Sequence, residues 1–122
     1  MIQPTFIILY VDNPAKSAAF YADLLGRTPV QSSPTFVLFA LDSGVMFGLW
    51  SRHTVEPAAN APGGSELAFT VADVSAVAAM HADWRKRGLS IAQAPVAMDF
   101  GTTFVALDPD GHRLRVFAPT AP

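Results

Sequence analysis

The feature that most constrains the fold of this chain is an internal repeat. The segment FALDSGVMFGLW at residues 39–50 returns, with a turn one residue longer, as FVALDPDGHRLRVF at residues 104–117. When Val11 is placed on Val71, the residues that follow also correspond, and small, bulky and charged positions recur in the same order. Matched pairs include Ala18 and Ala78, Leu24 and Trp84, and Arg27 and Arg87. The chain is therefore predicted to contain two copies of one supersecondary unit.

Each copy is predicted to form a strand, a helix and three further strands. In the first copy the strand FIILYV at 6–11 precedes a helix capped by Asp12 or Asn13 and spanning 15–25, and three strands follow at 30–33, 35–41 and 45–50. In the second copy a strand at 66–71 precedes a helix capped by Asp73 or Ser75 and ending near Arg87, and strands follow at 90–93, 104–107 and 112–117, with a loop or strand at 94–99. The order βαβββ, used twice, predicts an α+β fold.

The domain boundaries follow from the same pattern. The first unit is predicted at 4–52, a connector rich in Pro, Gly and Ala at 53–64, and the second unit at 65–118, all within a single domain of residues 1–122. Two such units are expected to form a curved mixed sheet around a cleft, with the helices outside.

Composition excludes several classes of protein. The net charge of -2 and the pI near 5.8 provide no basic surface for nucleic acid, and the absence of cysteine excludes disulfides and cysteine-ligated zinc. The apolar run near the N-terminus is too short to span a bilayer and lacks a basic flank. A soluble cytoplasmic protein without membrane partners is predicted.

Strand alternation divides the side chains into two sets. One set is uniformly large and apolar and is expected to form the core; it comprises Ile7, Leu9, Val11, Phe47, Leu49, Leu67, Phe69, Val71, Leu114 and Val116. The other set mixes aromatic, small and polar residues; it comprises Phe6, Ile8, Tyr10, Met46, Gly48, Trp50, Glu66, Ala68, Thr70, Arg113, Arg115 and Phe117. Ring surface with a few convergent polar groups is typical of a small-molecule cleft. Burial of this set at a subunit interface is the alternative.

The motifs ILYVDNPAKSAAFYADLLG and DPDGHRLRVF, together with the repeat, resemble the vicinal-oxygen-chelate superfamily of glyoxalases, bleomycin resistance proteins and extradiol dioxygenases. In metal-dependent members the resemblance implies four ligands, at positions that here hold Phe6, Gly48, Glu66 and Arg115. Only Glu66 can ligate a divalent ion, because Phe6 and Gly48 offer no donor and Arg115 is a permanent cation. No metal and no other cofactor is therefore expected.

Within the superfamily, the segments ILYVDNPAKSAAFY, FGLWS and FGTTFVALDPDGHRLRV are similar to those of phenazine antibiotic resistance proteins, which belong to a metal-free, drug-binding branch. This resemblance implies a planar, aromatic and often acidic ligand. It also implies a homodimer whose clefts are shaped by both subunits.

Candidate ligand-binding roles follow for nine residues. Trp50 is expected to stack on the ligand, and Phe6, Tyr10, Phe117, Phe100 and Met46 to supply walls, although the sequence favours core packing over a wall position for Met46. Gly48 is expected to let a flat ligand approach the backbone. Arg115 is expected to pair with a ligand carboxylate or stack on a ring, and Glu66 to hold Arg115 or accept from a ligand hydroxyl. An internal salt bridge between Glu66 and Arg115 is the alternative.

The predicted function is sequestration of the ligand, with no catalytic residue. Two other functions stay open: a metal-dependent lyase, isomerase or dioxygenase, and a metal-free enzyme with Glu66 as the base. The three histidines, His53, His81 and His112, are interpreted as surface or helix-face residues. Gly63-Gly64 is too short for a phosphate-binding loop. It also precedes a strand, whereas a phosphate-binding loop precedes a helix.

Overall fold

The structure, a computed structural model, describes residues 2–120 and divides into two compact units, residues 1–61 and 62–122. Each unit has the predicted order of one strand, one helix and three strands. In the first these are β1 (Phe6–Val11), α1 (Pro14–Leu25), β2 (Gln31–Ser32), β3 (Phe36–Ala40) and β4 (Met46–Ser51). In the second they are β5 (Glu66–Thr70), α2 (Val74–Lys86), β6 (Ser90–Met98), β7 (Gly101–Leu107) and β8 (Arg113–Pro119). The α+β prediction is confirmed.

Both units form a mixed four-stranded sheet of the same topology. The strand orders are β1-β4-β3-β2 and β5-β8-β7-β6. The first strand of each unit pairs in parallel with the last, and the remaining pairs are antiparallel. A parallel pair needs a crossover, which α1 and α2 supply.

The region 94–99, which the sequence left open between loop and strand, belongs mostly to β6. This strand continues through Pro95 to Met98, with register shifts between Ile91 and Gln93 and between Gln93 and Val96. Proline is tolerated there because β6 is an edge strand and carries bulges, so that a missing N–H breaks no central ladder.

Helix caps are as the sequence allows. Asn13, and not Asp12, caps α1: its side chain accepts from the backbone N–H of Lys16 at 3.2 Å. Asp73 caps α2 by accepting from Ala76 N at 2.9 Å, and Ser75 Oγ donates to the same carboxylate at 2.8 Å. These hydrogen bonds, that of the Ala76 backbone first, lower the pKa of Asp73 below its ordinary value.

Aromatic rings join each helix to one face of its sheet. In the first unit the fully buried Tyr21 packs edge-on against Phe47, with 4.9 Å between ring centroids. In the second, Trp84 packs edge-on against Phe69 and Phe104 at 5.8 and 5.4 Å. Among the described residues, no helix is long and apolar enough to cross a membrane.

The predicted core set is buried or half-buried except for Ile7 in β1. Val11, Leu49, Leu114 and Val116 are fully buried, whereas Ile7 is 38% exposed, so its assignment to the core is wrong. The reason is geometric: β1 is an edge strand, and α1 packs over β3 and β4. Ile7 therefore lacks a covering helix and has a strand neighbour on one side only.

Candidate ligand-binding site

Five of the nine predicted site residues share one face of the first sheet. The parallel register of β1 and β4 places Phe6 beside Met46 and Tyr10 beside Trp50, with Ile8 beside Gly48 between them. Side chains of paired residues lie on the same side of a sheet, the side opposite Tyr21 and α1. Phe6 and Tyr10 are 51% and 41% exposed. This face, termed the aromatic face, thus carries ring surface that the first unit leaves uncovered.

Phe36, which sequence reasoning did not single out, occupies the space above Gly48. A Cβ atom added at Gly48 would lie 2.9 Å from Cζ of the Phe36 ring. The same ring packs edge-on against Trp50 at 6.0 Å. A flat ligand reaches the Gly48 backbone only if this ring swings aside. Phe36 can be recognised as part of this face from its pairing with Trp50 between β3 and β4, but that pairing is known only once the strand register is known.

The other four predicted residues lie in the second unit, around Arg115. The Nε atom of Arg115 donates to Glu66 Oε1 at 2.6 Å, and Nη1 donates to Thr103 Oγ1 at 3.2 Å. Phe100 lies beside the guanidinium, whose Cζ is 5.9 Å from the ring centroid, and packs edge-on against Phe117 at 5.8 Å. We call these five residues the arginine cluster.

Glu66 and Arg115 form a salt bridge with each other, which is the alternative that the sequence left open beside a contact with the ligand. Their side chains are 32% and 17% exposed, so the pair is partly screened by solvent. Nη2 of Arg115 has no hydrogen-bond partner within residues 2–120. The guanidinium is thus held by two anchors and keeps donors for a third group.

Thr103 is the member of the arginine cluster that sequence reasoning missed. It is fully buried, and its Oγ1 donates to the backbone carbonyl of Val116 at 2.8 Å while accepting from Arg115. Gln93 was also missed: its Oε1 is buried and has no hydrogen-bond partner within the described chain. Gln93 pairs with Val105, which pairs with Arg115 on its other side. Thr103 stands in the segment FGTTFVALDPDGHRLRV but has no recognised role there, and Gln93 lies outside the quoted motifs, so only the strand pairing brings them to notice.

The four positions implied for metal ligation do not fit a divalent ion. Phe6 presents an apolar ring, Gly48 has no side chain, and Arg115 is a cation already paired with Glu66. Within residues 2–120, no three histidine, cysteine, aspartate or glutamate side chains come together as a metal site would require.

None of the three histidines belongs to the aromatic face or to the arginine cluster. His53 is exposed and lies at the end of the first sheet, where its Nε2–H donates to Asp12 Oδ1 at 2.7 Å. This hydrogen bond, helped by the charge of Arg52 at 3.4 Å, lowers the pKa of Asp12. His81 packs against the Phe104 ring at 5.3 Å, and His112 is half-buried at the exit of the β7–β8 turn.

Three comparisons relate the chain to known proteins. The model of the Glyoxalase/Bleomycin resistance protein/Dioxygenase superfamily matches residues 3–116. The phenazine antibiotic resistance protein EhpR of Enterobacter agglomerans is 31% identical over 118 residues, which cover 94% of this chain and 91% of EhpR.

Solved structures agree with the fold. The solution structure of protein ATC0852 from Agrobacterium tumefaciens is 54% identical and superposes with a TM-score of 0.92, covering 99% of this chain and 100% of that one. A glyoxalase-related enzyme from Fulvimarina pelagi is 23% identical with a TM-score of 0.83, covering 97% and 88% of the two chains. The second likeness concerns the fold alone.

Proposed function

This chain belongs to the glyoxalase/bleomycin resistance protein/dioxygenase superfamily, and we propose that within it the protein binds and sequesters a planar aromatic antibiotic or metabolite, such as a phenazine. The proposed mechanism is stoichiometric, needs no metal ion, and confers resistance by removing free compound from the cytoplasm. The likeness to a phenazine antibiotic resistance protein supports a resistance-type role.

The observation that carries the proposal is the residue content of the implied metal positions. Where metal-dependent members have oxygen or nitrogen ligands, Phe6 presents an apolar ring, Gly48 has no side chain and Arg115 carries a positive charge. Such a set removes the means of polarising a substrate and leaves surface suited to stacking and ion pairing.

Each unit offers one kind of contact to a ligand. Trp50, with Tyr10 and Phe6 on the aromatic face, offers rings on which a planar compound stacks, at about 0.5–1.5 kcal/mol per ring pair beyond area burial. Arg115, already oriented by Glu66 and Thr103, offers further N–H donors to a polar substituent of the compound. Exposure of Phe6 and Tyr10 also supports a homodimer in which a second subunit helps to shape the cleft.

Tryptophan fluorescence tests this function, because the chain has only two tryptophans, Trp50 and Trp84. Trp84 is 5% exposed in the core of the second unit, so a ligand stacking on Trp50 should quench one emitter and spare the other. Titration with phenazines is expected to quench W84F, in which Trp50 remains, and to leave W50F unchanged. Trp50→Ala is expected to abolish binding. Equal quenching of W50F and W84F, or no response to any phenazine, contradicts the proposal.

A metal-dependent lyase, isomerase or dioxygenase is the second candidate, since the superfamily includes such enzymes. Metal analysis of protein purified without chelator separates the two. A stoichiometric divalent ion that survives gel filtration supports the enzyme and overturns the metal-free proposal.

A metal-free enzyme with Glu66 as the base is a third candidate. In such an enzyme Glu66 would have to accept a proton while bound to Arg115 at 2.6 Å. If the bound compound is also converted, Glu66→Gln separates the roles, because a base is lost in this variant. Unchanged conversion removes the third candidate.

A further inference from the structure

A buried side-chain oxygen in the second unit lacks a hydrogen-bond partner. It is Oε1 of Gln93 in β6, and neither end of the Gln93 amide forms a hydrogen bond with another residue of the described chain, 2–120. Most buried polar groups in native proteins are hydrogen-bonded, so an exception calls for a physical explanation. Its surroundings decide between a structural partner and an external one.

Gln93 lies on the same face of the second sheet as the arginine cluster. In the strand register it pairs with Val105 of β7, and Val105 pairs with Arg115 of β8. Paired residues lie on one side of a sheet, whereas Phe104, which precedes Val105, lies on the other side and packs against Trp84 of α2. Adjacent strands are about 4.8 Å apart, so about 10 Å of sheet separates Gln93 from Arg115. One planar compound of several fused rings can therefore reach both residues.

The side chains next to Gln93 cannot supply the missing donor. Ala92, Ala94 and Pro95 flank it in β6, and Val105 lies beside it in β7; none of these four side chains has a polar atom. A buried bridging water needs two or more polar partners, and the same side chains offer it none. The oxygen is thus left unpaired by its neighbours on the sheet.

Arg115 shares the face with Gln93 but is engaged elsewhere. Its Nε donates to Glu66 Oε1 at 2.6 Å and its Nη1 donates to Thr103 Oγ1 at 3.2 Å. It forms no hydrogen bond with Gln93, and turning towards Gln93 would break at least one of these two contacts. The face therefore presents two separate polar groups, a cation that keeps a free N–H and an uncharged amide that lacks a donor.

An acceptor of this kind favours a ligand that brings a hydrogen-bond donor. A hydrogen bond to an exposed acceptor replaces one to water and contributes little to affinity, whereas Gln93 Oε1 is shielded from water and has no bond to give up. The terminal torsion of glutamine is broad and two-fold, and no hydrogen bond fixes it at Gln93. Rotation about this bond turns the oxygen towards the face that carries Arg115.

We infer that Gln93 is a specificity-determining residue, and that it selects planar compounds bearing an uncharged hydrogen-bond donor, such as a phenolic hydroxyl. The donor of the compound bonds to Gln93 Oε1 while the ring system lies over the arginine cluster. This inference rests on the proposed function, which requires only that a planar aromatic compound binds.

The first experiment compares 2-hydroxyphenazine with 2-methoxyphenazine by isothermal titration calorimetry at about pH 6, where a phenolic hydroxyl is uncharged. The two compounds share one ring system, and only the first has a donor. The wild-type protein is expected to bind the hydroxy compound about tenfold more tightly. Gln93→Met keeps the length of the side chain and removes the amide, so it should bind both compounds with affinities within about twofold of each other.

Gln31→Met is the matched control. It makes the same chemical change at an exposed position of the edge strand β2 in the first unit and should keep the tenfold preference. Equal binding of the two compounds by wild type, or an equal preference in Q93M and Q31M, overturns the role of Gln93 and leaves the proposed function in place. Binding of neither compound overturns the proposed function and this inference together.

The second experiment needs no ligand. Because Gln93→Met removes an unpaired buried acceptor, the urea midpoint of Q93M is expected to rise by about 0.5 M, while that of Q31M stays at the wild-type value. A gain in stability together with a loss of discrimination is the expected signature of a group kept for binding. An unchanged or lower midpoint in Q93M means that the oxygen is already satisfied in the free protein, which overturns the inference.

Discussion

Replacing Thr103 with valine tests whether this buried hydroxyl positions Arg115. The change keeps the shape of the side chain and removes one oxygen, which donates to Val116 O at 2.8 Å and accepts from Arg115 Nη1 at 3.2 Å. The first hydrogen bond joins neutral groups and contributes about 0.5–1.5 kcal/mol. The second involves a charge, but Arg115 is 17% exposed and can regain water, so its contribution lies near the low end of about 1.5–3 kcal/mol.

The free energy of unfolding of Thr103→Val should therefore fall by about 2 kcal/mol in urea denaturation, with an unchanged m-value. Arg115 also loses one of its two anchors, and binding must then restrict a freer side chain. Ligand affinity, measured by isothermal titration calorimetry, should weaken about threefold to tenfold.

Thr103→Ser is the control, because it keeps the hydroxyl and deletes a buried methyl group. Its stability should fall by about 1 kcal/mol while ligand affinity stays at the wild-type level. The reasoning is refuted if Thr103→Val stays within about 0.5 kcal/mol of wild type. It is also refuted if both variants weaken ligand binding equally, since Arg115 would then be oriented without the hydroxyl.

Two further predictions concern packing and pH. Gly48→Ala introduces a Cβ 2.9 Å from the Phe36 ring, so the ring must shift, at about 1 kcal/mol in unfolding free energy. Because this ring contacts Trp50, near-UV circular dichroism should change; an unaltered spectrum contradicts the packing. Asp73→Ala should lower the free energy of unfolding, and Asp73→Asn should lower it much less, because an amide oxygen can still cap α2. The folded-state pKa of Asp73 is lowered, so its contribution is complete above the unfolded pKa of about 3.9 and is lost as pH falls through the lower folded pKa. Urea unfolding at pH 7 and pH 3 checks this, and an equal Asp73→Ala effect at both values contradicts it.

The sequence was sufficient for the fold because its determinants are local or repeated. The alternation in β1, β4 and β8, the capping residues Asn13 and Asp73, and the turn at 108–111 each act over a few neighbours. The repeat then supplied the topology, since two copies of βαβββ fold alike. The same local information identified Arg115, Gly48 and Phe6 at the implied metal positions, because residue type alone decides that they cannot ligate an ion.

Contacts between distant residues were decided by the tertiary structure. Glu66 and Arg115 are 49 residues apart in sequence and meet because β5 and β8 are adjacent in one register. The placement of Phe36 over Gly48 also depends on strand register. A sequence pattern of period two assigns residues to a face of the sheet but does not determine which residues of two neighbouring strands lie opposite each other. The exposure of Ile7 depends on which strands of the sheet α1 packs against. Periodicity therefore assigns a residue to a face, and only packing determines what that face meets.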